Sequence, residues 1–157
     1  MNTSPDEGVN LALKINSFLS DFHLKDNCKI ILGVPFTHID RIVKTVDNNK
    51  IDVAAQNCSQ FDSGAYTGEI SVKMIKNLGA AYVIVGHSER RQYFGEDNGL
   101  LALKLKQCYT YNLSPIYCCG ETLADRDANR HFKIVEKQIT ESFKDISETE
   151  LNNTIIA

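Results

Sequence analysis

Apolar residues in this chain come in two alternating kinds of run, spaced ones and short continuous ones. Leu11, Ile15, Phe18, Leu19 and Phe22 recur at three- and four-residue steps, which predicts a helix with one buried stripe. Just ahead, Ser4-Pro5-Asp6-Glu7 supplies a cap, a proline suited to the first helical position and the glutamate of a capping box. Lys29-Ile30-Ile31-Leu32-Gly33-Val34, closed by Pro35, then reads as a strand. Thr37 is expected to cap a second helix with Ile39, Ile42, Val43 and Val46 on one face. Asp52 to Gln56 is the next strand, with small residues where something packs closely. A long polar loop follows, and Ser71 then caps a short helix carrying Val72, Ile75 and Leu78, stopped by Gly79.

Tyr82-Val83-Ile84-Val85 is apolar at every position, as in a strand covered on both faces. Asp97 to Tyr111 reads as a helix, weakened by Gly99 in its first turn. Pro115 to Cys119 is a further strand, and Phe132 to Phe143 a helix whose inner face is Phe132, Val135, Ile139 and Phe143. Thr154 to Ala157 has the composition of the first residues of another strand. One helix, four strand–helix units and a strand stub predict an α/β fold with a parallel sheet and right-handed crossovers. No repeat or linker divides residues 1–157, so a single domain is expected.

Composition changes this picture little. An apolar fraction of 43%, a charged fraction of 24% and a net charge of −3 are ordinary for a globular domain and do not suggest nucleic acid or an anionic membrane as partner. No apolar run nears the roughly 20 residues that cross a bilayer, and the first residues lack a signal-peptide pattern. Five cysteines, Cys28, Cys58, Cys108, Cys118 and Cys119, without a CxxC pair, argue against a disulfide framework or a zinc site and for a reduced, cytoplasmic setting. No cofactor is expected.

The chemistry concentrates where the third strand ends. Gly86 closes the apolar run, and His87, Ser88, Glu89, Arg90 and Arg91 follow at once. Parallel α/β folds place ligands beyond the carboxyl ends of their strands, which makes this cluster a candidate site. Taken alone, it also fits a solvated turn with a surface ion pair.

Three stretches end successive strands: AAQNCSQFDSGAYTGEIS, YVIVGHSERRQYFGE and IYCCGETLADRDA. Together they resemble the triosephosphate isomerase family, along the whole of residues 1–157. The resemblance implies part of a (β/α)8 barrel, from its first helix through its fifth strand–helix unit to the start of its sixth strand. It implies an isomerase interconverting dihydroxyacetone phosphate and glyceraldehyde 3-phosphate through an enediolate, in glycolysis and gluconeogenesis. His87 would then be the electrophile. The positive end of a short helix at Ser88 to Arg91 would oppose imidazolium formation, an arrangement the family itself commonly illustrates.

Glu89 would stand behind His87, facing the family's active-site lysine, and Arg90 would pair with Glu96. Cys118 matches a buried cysteine, expected to pack rather than react because no basic neighbour is evident in the sequence. The Asn57–Gly68 loop, with Gly64, Tyr66, Thr67 and Gly68, would enter a pocket of a second subunit, implying a homodimer. Family members carry Asn-x-Lys just before the position of Met1 and a general-base glutamate in Tyr-Glu-Pro just beyond Ala157. The 157-residue chain by itself is therefore expected to be inactive and, with open sheet edges, prone to aggregate. A noncatalytic interaction protein that keeps the docking loop is the competing expectation.

Overall fold

A computed structural model describes residues 2–19 and 28–157. The chain order is α1 (Pro5–Phe18), β1 (Ile30–Val34), a single 3-10 turn (Phe36–His38), α2 (Ile39–Val43), β2 (Ile51–Ala55), α3 (Val72–Asn77), β3 (Tyr82–Val85), α4 (Ser88–Tyr93), α5 (Asn98–Thr110), β4 (Ser114–Tyr117), α6 (Leu123–Asp127), α7 (His131–Ser142), α8 (Glu148–Asn152) and β5 (Ile155–Ile156). All neighbouring strands are parallel and lie in sequence order, β1-β2-β3-β4-β5. This is the α/β strand–helix alternation that the apolar runs predict. It matches an arc of a (β/α)8 barrel.

Register assigns the two faces. Leu32 pairs with Val53, Ala55 with Val83, Val83 with Pro115 and Val85 with Tyr117, and paired residues of a parallel ladder share a face. That face lies under the helices: Val53, Ala55, Val83, Val85 and Tyr117 join Ile39, Ile42, Ile75, Leu101 and Leu105 in one core. Each leucine or isoleucine so enclosed contributes on the order of 1.5–3 kcal/mol. The opposite face carries Ile84 paired with Ile116, and Ile116 with Ile155. These isoleucines are less completely covered than the residues packed under the helices. Gly33 keeps this face closely packed, since a Cβ there would lie 2.9 Å from Ile84 Cδ1.

The predicted caps form at Ser4 and Ser71, and Asp97, read from the sequence only as the start of a helix, caps α5; each accepts a backbone amide from the first turn of its helix. Thr37 departs from expectation. The chain first makes the 3-10 turn, so His38 becomes the residue preceding α2, and the Thr37 hydroxyl bonds His38 Nδ1 at 2.9 Å instead. The buried His38 ring packs on Gly8 of α1, where a Cβ would come within 2.3 Å of it, and its Nε2 donates to the Ser4 carbonyl at 3.0 Å. That contact turns α1 so that Gly8 and Ala12 face inward, while Leu11 and Phe18 of the predicted stripe are exposed. Phe22 lies outside the described residues.

Phe132, placed on the inner face of α7 by periodicity, is 81% exposed. Helix α7 docks through its second half, where Ser142 is buried and the Phe143 ring meets Tyr117 edge-on at 4.8 Å. The short helices α6 and α8 were not expected. Each is capped, by Thr122 and Ser147, but is too brief to show a periodic apolar stripe.

Candidate active site

The buried strand β3 ends at Gly86, whose φ of +79° lies in the left-handed region. A Cβ at Gly86 would sit 2.9 Å from Leu101 Cδ1 and 3.1 Å from the Cys118 carbonyl, so the tight turn also excludes any side chain. The turn delivers His87 to the N-cap of α4. Its Nδ1 accepts the Glu89 amide at 3.3 Å. A backbone N–H can only donate, so in the neutral ring the proton is on Nε2, and the side chain is 48% exposed. Glu89 lies close by, its Oε2 3.7 Å from His87 Nδ1, with its side chain 72% exposed.

His87, Arg91, Cys118, Cys119, Gly120 and Glu121 line a cavity of about 270 Å³ at the carboxyl ends of β3 and β4. Burial pushes the Cys118 thiol up, opposed by the nearby Arg91 guanidinium. The expectation that Cys118 has no basic neighbour is therefore corrected: Arg91 is distant in sequence but donates to the Cys118 carbonyl at 3.1 Å. Burial still outweighs it, and the thiol remains on the unreactive side. Glu121 is held below the usual carboxylate range, first by its own backbone hydrogen bond and then by Arg126. Among the described residues, no cluster of His, Cys, Asp or Glu could hold a metal ion.

Behind His87, Arg90 Nε donates to Glu96 Oε1 at 2.6 Å, the pairing the spacing suggested. Sequence reasoning missed the second cation. Lys104 Nζ reaches the same oxygen at 2.6 Å and also donates to Asn57 Oδ1 at 2.7 Å. The side chains of Glu96 and Lys104 are only 2% and 3% exposed. A signal existed: Lys104 interrupts the apolar face Leu101, Leu105 and Cys108 of α5, where a lysine is almost never buried without a partner.

Asn57 opens the long loop after β2, so the ion cluster joins the root of that loop to the His87 helix. Within the loop, Phe61 and Tyr66 stack at 3.7 Å with rings 2° from parallel. The Tyr111 hydroxyl bonds Asp62, and Ser59 N donates to the Ile70 carbonyl at 2.9 Å across the base. Gly64 and Gly68 have φ of +133° and +92°, which L side chains rarely adopt. Tyr66 and Thr67 are exposed at the tip. Geometry thus brings His87, Glu89 and Cys118 to one end of the sheet, ties Arg90 to Glu96, and leaves Thr67 apart on the loop.

Comparison with known proteins matches this arrangement. The family model described as triosephosphate isomerase covers residues 1–157. A triosephosphate isomerase of Porphyromonas gingivalis is 41% identical over 157 residues, 100% of this chain and 62% of the relative. One from Bacteroides fragilis is 41% identical over 157 residues, covering 100% of this chain and 61% of its own length, and one from Clostridium novyi is 38% identical with the same coverage. The chain therefore spans about three fifths of the length of these curated relatives. With its strand–helix arc, its histidine at the carboxyl end of β3 and a match along its whole length, the chain belongs to the triosephosphate isomerase family.

Proposed function

We propose that this chain contributes the electrophilic half of a triose phosphate isomerase site, acting on dihydroxyacetone phosphate and D-glyceraldehyde 3-phosphate in the cytoplasm, within glycolysis and gluconeogenesis. The observation that carries the proposal is the His87 geometry. Nδ1 accepts the Glu89 amide, which leaves Nε2–H as an exposed neutral donor at a cavity mouth. Such a donor stabilises the oxygen charge of an enediolate while remaining neutral. His87 cannot abstract the carbon proton while donating to the carbonyl oxygen, so a separate carboxylate takes that proton, the role that the resemblance gives to the glutamate of Tyr-Glu-Pro. General base catalysis contributes about 10²–10⁴ in rate, and the 157-residue chain by itself is accordingly inactive.

Thr67 and its neighbours Gly64, Tyr66 and Gly68 reach a second copy, and the working form is a homodimer. The self-stacked Phe61–Tyr66 pair supports a preshaped docking element. The same stack is what favours the second reading, a noncatalytic fragment that only binds a full-length subunit.

Isomerase assays separate these readings. The purified 157-residue chain should show no turnover above its His87→Ala variant. The protein from its whole reading frame should show turnover that His87→Ala reduces roughly 10²- to 10⁴-fold. Activity of the short chain above its variant refutes the half-site proposal. A whole-frame protein that binds a second subunit without turnover establishes the binding fragment instead.

A further inference from the structure

Arg90 and Arg91 are neighbours in α4, yet only Arg90 meets a carboxylate. Among the described residues, none of the ion pairs includes Arg91. Its guanidinium is spent on four neutral acceptors. Nε donates to the Gly86 carbonyl at 2.9 Å, Nη1 to Asn98 Oδ1 at 2.8 Å, and Nη2 to the Tyr117 hydroxyl at 3.0 Å and the Cys118 carbonyl at 3.1 Å. Two of these acceptors are the backbone carbonyls at the carboxyl ends of β3 and β4. Gly86 is the residue immediately before His87, and Cys118 lines the same cavity as His87.

The acceptor side is itself held. Tyr117 is fully buried, and its hydroxyl donates to the Gln138 carbonyl at 2.8 Å and lies 2.8 Å from Ser142 Oγ, both on α7. From that same helix turn, the Gln138 side chain closes a double hydrogen bond on Gly120. Gly120 N donates to Oε1 at 2.8 Å, and Nε2 donates to the Gly120 carbonyl at 2.9 Å. Asn98, the first residue of α5, is bonded by Arg91 and donates to Glu141 Oε2 at 2.8 Å. A planar five-donor fork spans all these points at once; a lysine ammonium cannot.

We propose that Arg91, fixed from behind by Tyr117, is the positioning residue of the His87 site. It clamps the ends of β3 and β4 together, sets the direction of the His87 ring, and leaves its own positive charge uncompensated on the wall of the cavity. Arg91 acts through the Gly86 and Cys118 carbonyls rather than by touching the reacting atoms. Its free charge also suits an anionic ligand there. The kinetic half of this inference rests on the isomerase proposal; the spectroscopic half does not.

The test uses Arg91→Lys and Tyr117→Phe in the protein from its whole reading frame, with His87→Ala as the reference for background. Histidine 15N NMR reports the His87 tautomer and ring environment, and the assay with dihydroxyacetone phosphate separates kcat from KM. Arg91→Lys should lower kcat roughly 10- to 100-fold with KM changed much less, as a small misplacement of a reacting group does. Tyr117→Phe keeps the ring packed on Phe143 and should lower kcat by a smaller factor. Both should shift the His87 ring signals while the fold is retained.

Unchanged His87 signals in both folded variants overturn the inference whatever the assay reads. Shifted signals with no turnover in the parent above His87→Ala uphold the clamp and sink the isomerase proposal instead. If Arg91→Lys does not fold, Tyr117→Phe decides alone, since it deletes a single oxygen.

Discussion

Two regions that flank His87 solve the same problem, an arginine half-buried against the protein, in opposite ways. On one side Arg90 shares Glu96 with the buried Lys104, and the cluster ends at Asn57 on the loop after β2. On the other, among the described residues, Arg91 donates to carbonyls, an amide oxygen and a phenol and to no carboxylate. Successive residues of a helix point about 100° apart, so adjacent side chains serve different neighbours. The ionic side suits a rigid anchor, because a buried charge deprived of its partner is costly. The neutral side suits a cavity wall, because it keeps its positive charge available. One dipeptide thus supplies a strut towards the loop and a clamp towards the site.

Substitutions can break the comparison in order of expected size. Glu96→Ala strands Lys104 in the interior and should cost about 3–5 kcal/mol in denaturant unfolding, the largest single effect here. Replacing the buried partners together, Glu96→Leu with Lys104→Met, removes both charges and should recover most of that loss. A double variant as unstable as Glu96→Ala would show that the cluster is not acting as a desolvated pair. Tyr117→Phe removes one hydrogen-bonding oxygen on the neutral side and should cost about 1–2 kcal/mol in the same unfolding measurement. A loss as large as that of Glu96→Ala would erase the distinction between strut and clamp.

The smallest effect belongs to the carboxylates that close the two capping boxes. Glu7 is held below its ordinary value of 4.5 by the Ser4 backbone amide and then its hydroxyl, and Glu150 by the Ser147 hydroxyl and then its amide. A carboxylate depressed by folding stabilises the folded state above its unfolded value and loses that contribution as pH falls through the lowered one. Far-ultraviolet circular dichroism should therefore show slight fraying of α1 and α8 only below about pH 4.5. Fraying that begins nearer neutrality would assign the caps to something other than these carboxylates.

Much of the fold was legible because it rests on local rules. The apolar run Tyr82–Val85 had to be a strand, although only its alternate residues Val83 and Val85 are fully buried, and Ser4 and Ser71 had to cap helices, since each signal lies within a few residues. Phe132 and Leu11 misled because periodicity marks an apolar stripe but not which part of it finds a neighbour. Helix α7 docks at its far end, and Gly8 turns α1 against His38. At the site, His87, Glu89 and the Arg90–Glu96 pair were legible from one short motif. Lys104 and the Arg91–Tyr117 contact were not, because residues 8 and 26 positions apart meet only when helix and strand pack.

The order of residues by itself determined the alternation of strand and helix, the turn at Gly86 and the appearance of an imidazole just after a buried strand. Those depend on near-neighbour sterics and on hydrogen bonds within a turn. The tertiary structure alone decided which charges lost their water and which kept it. Desolvation is a property of the whole surrounding shell, assembled here from α4, α5, α7, β4 and a loop that are far apart along the chain.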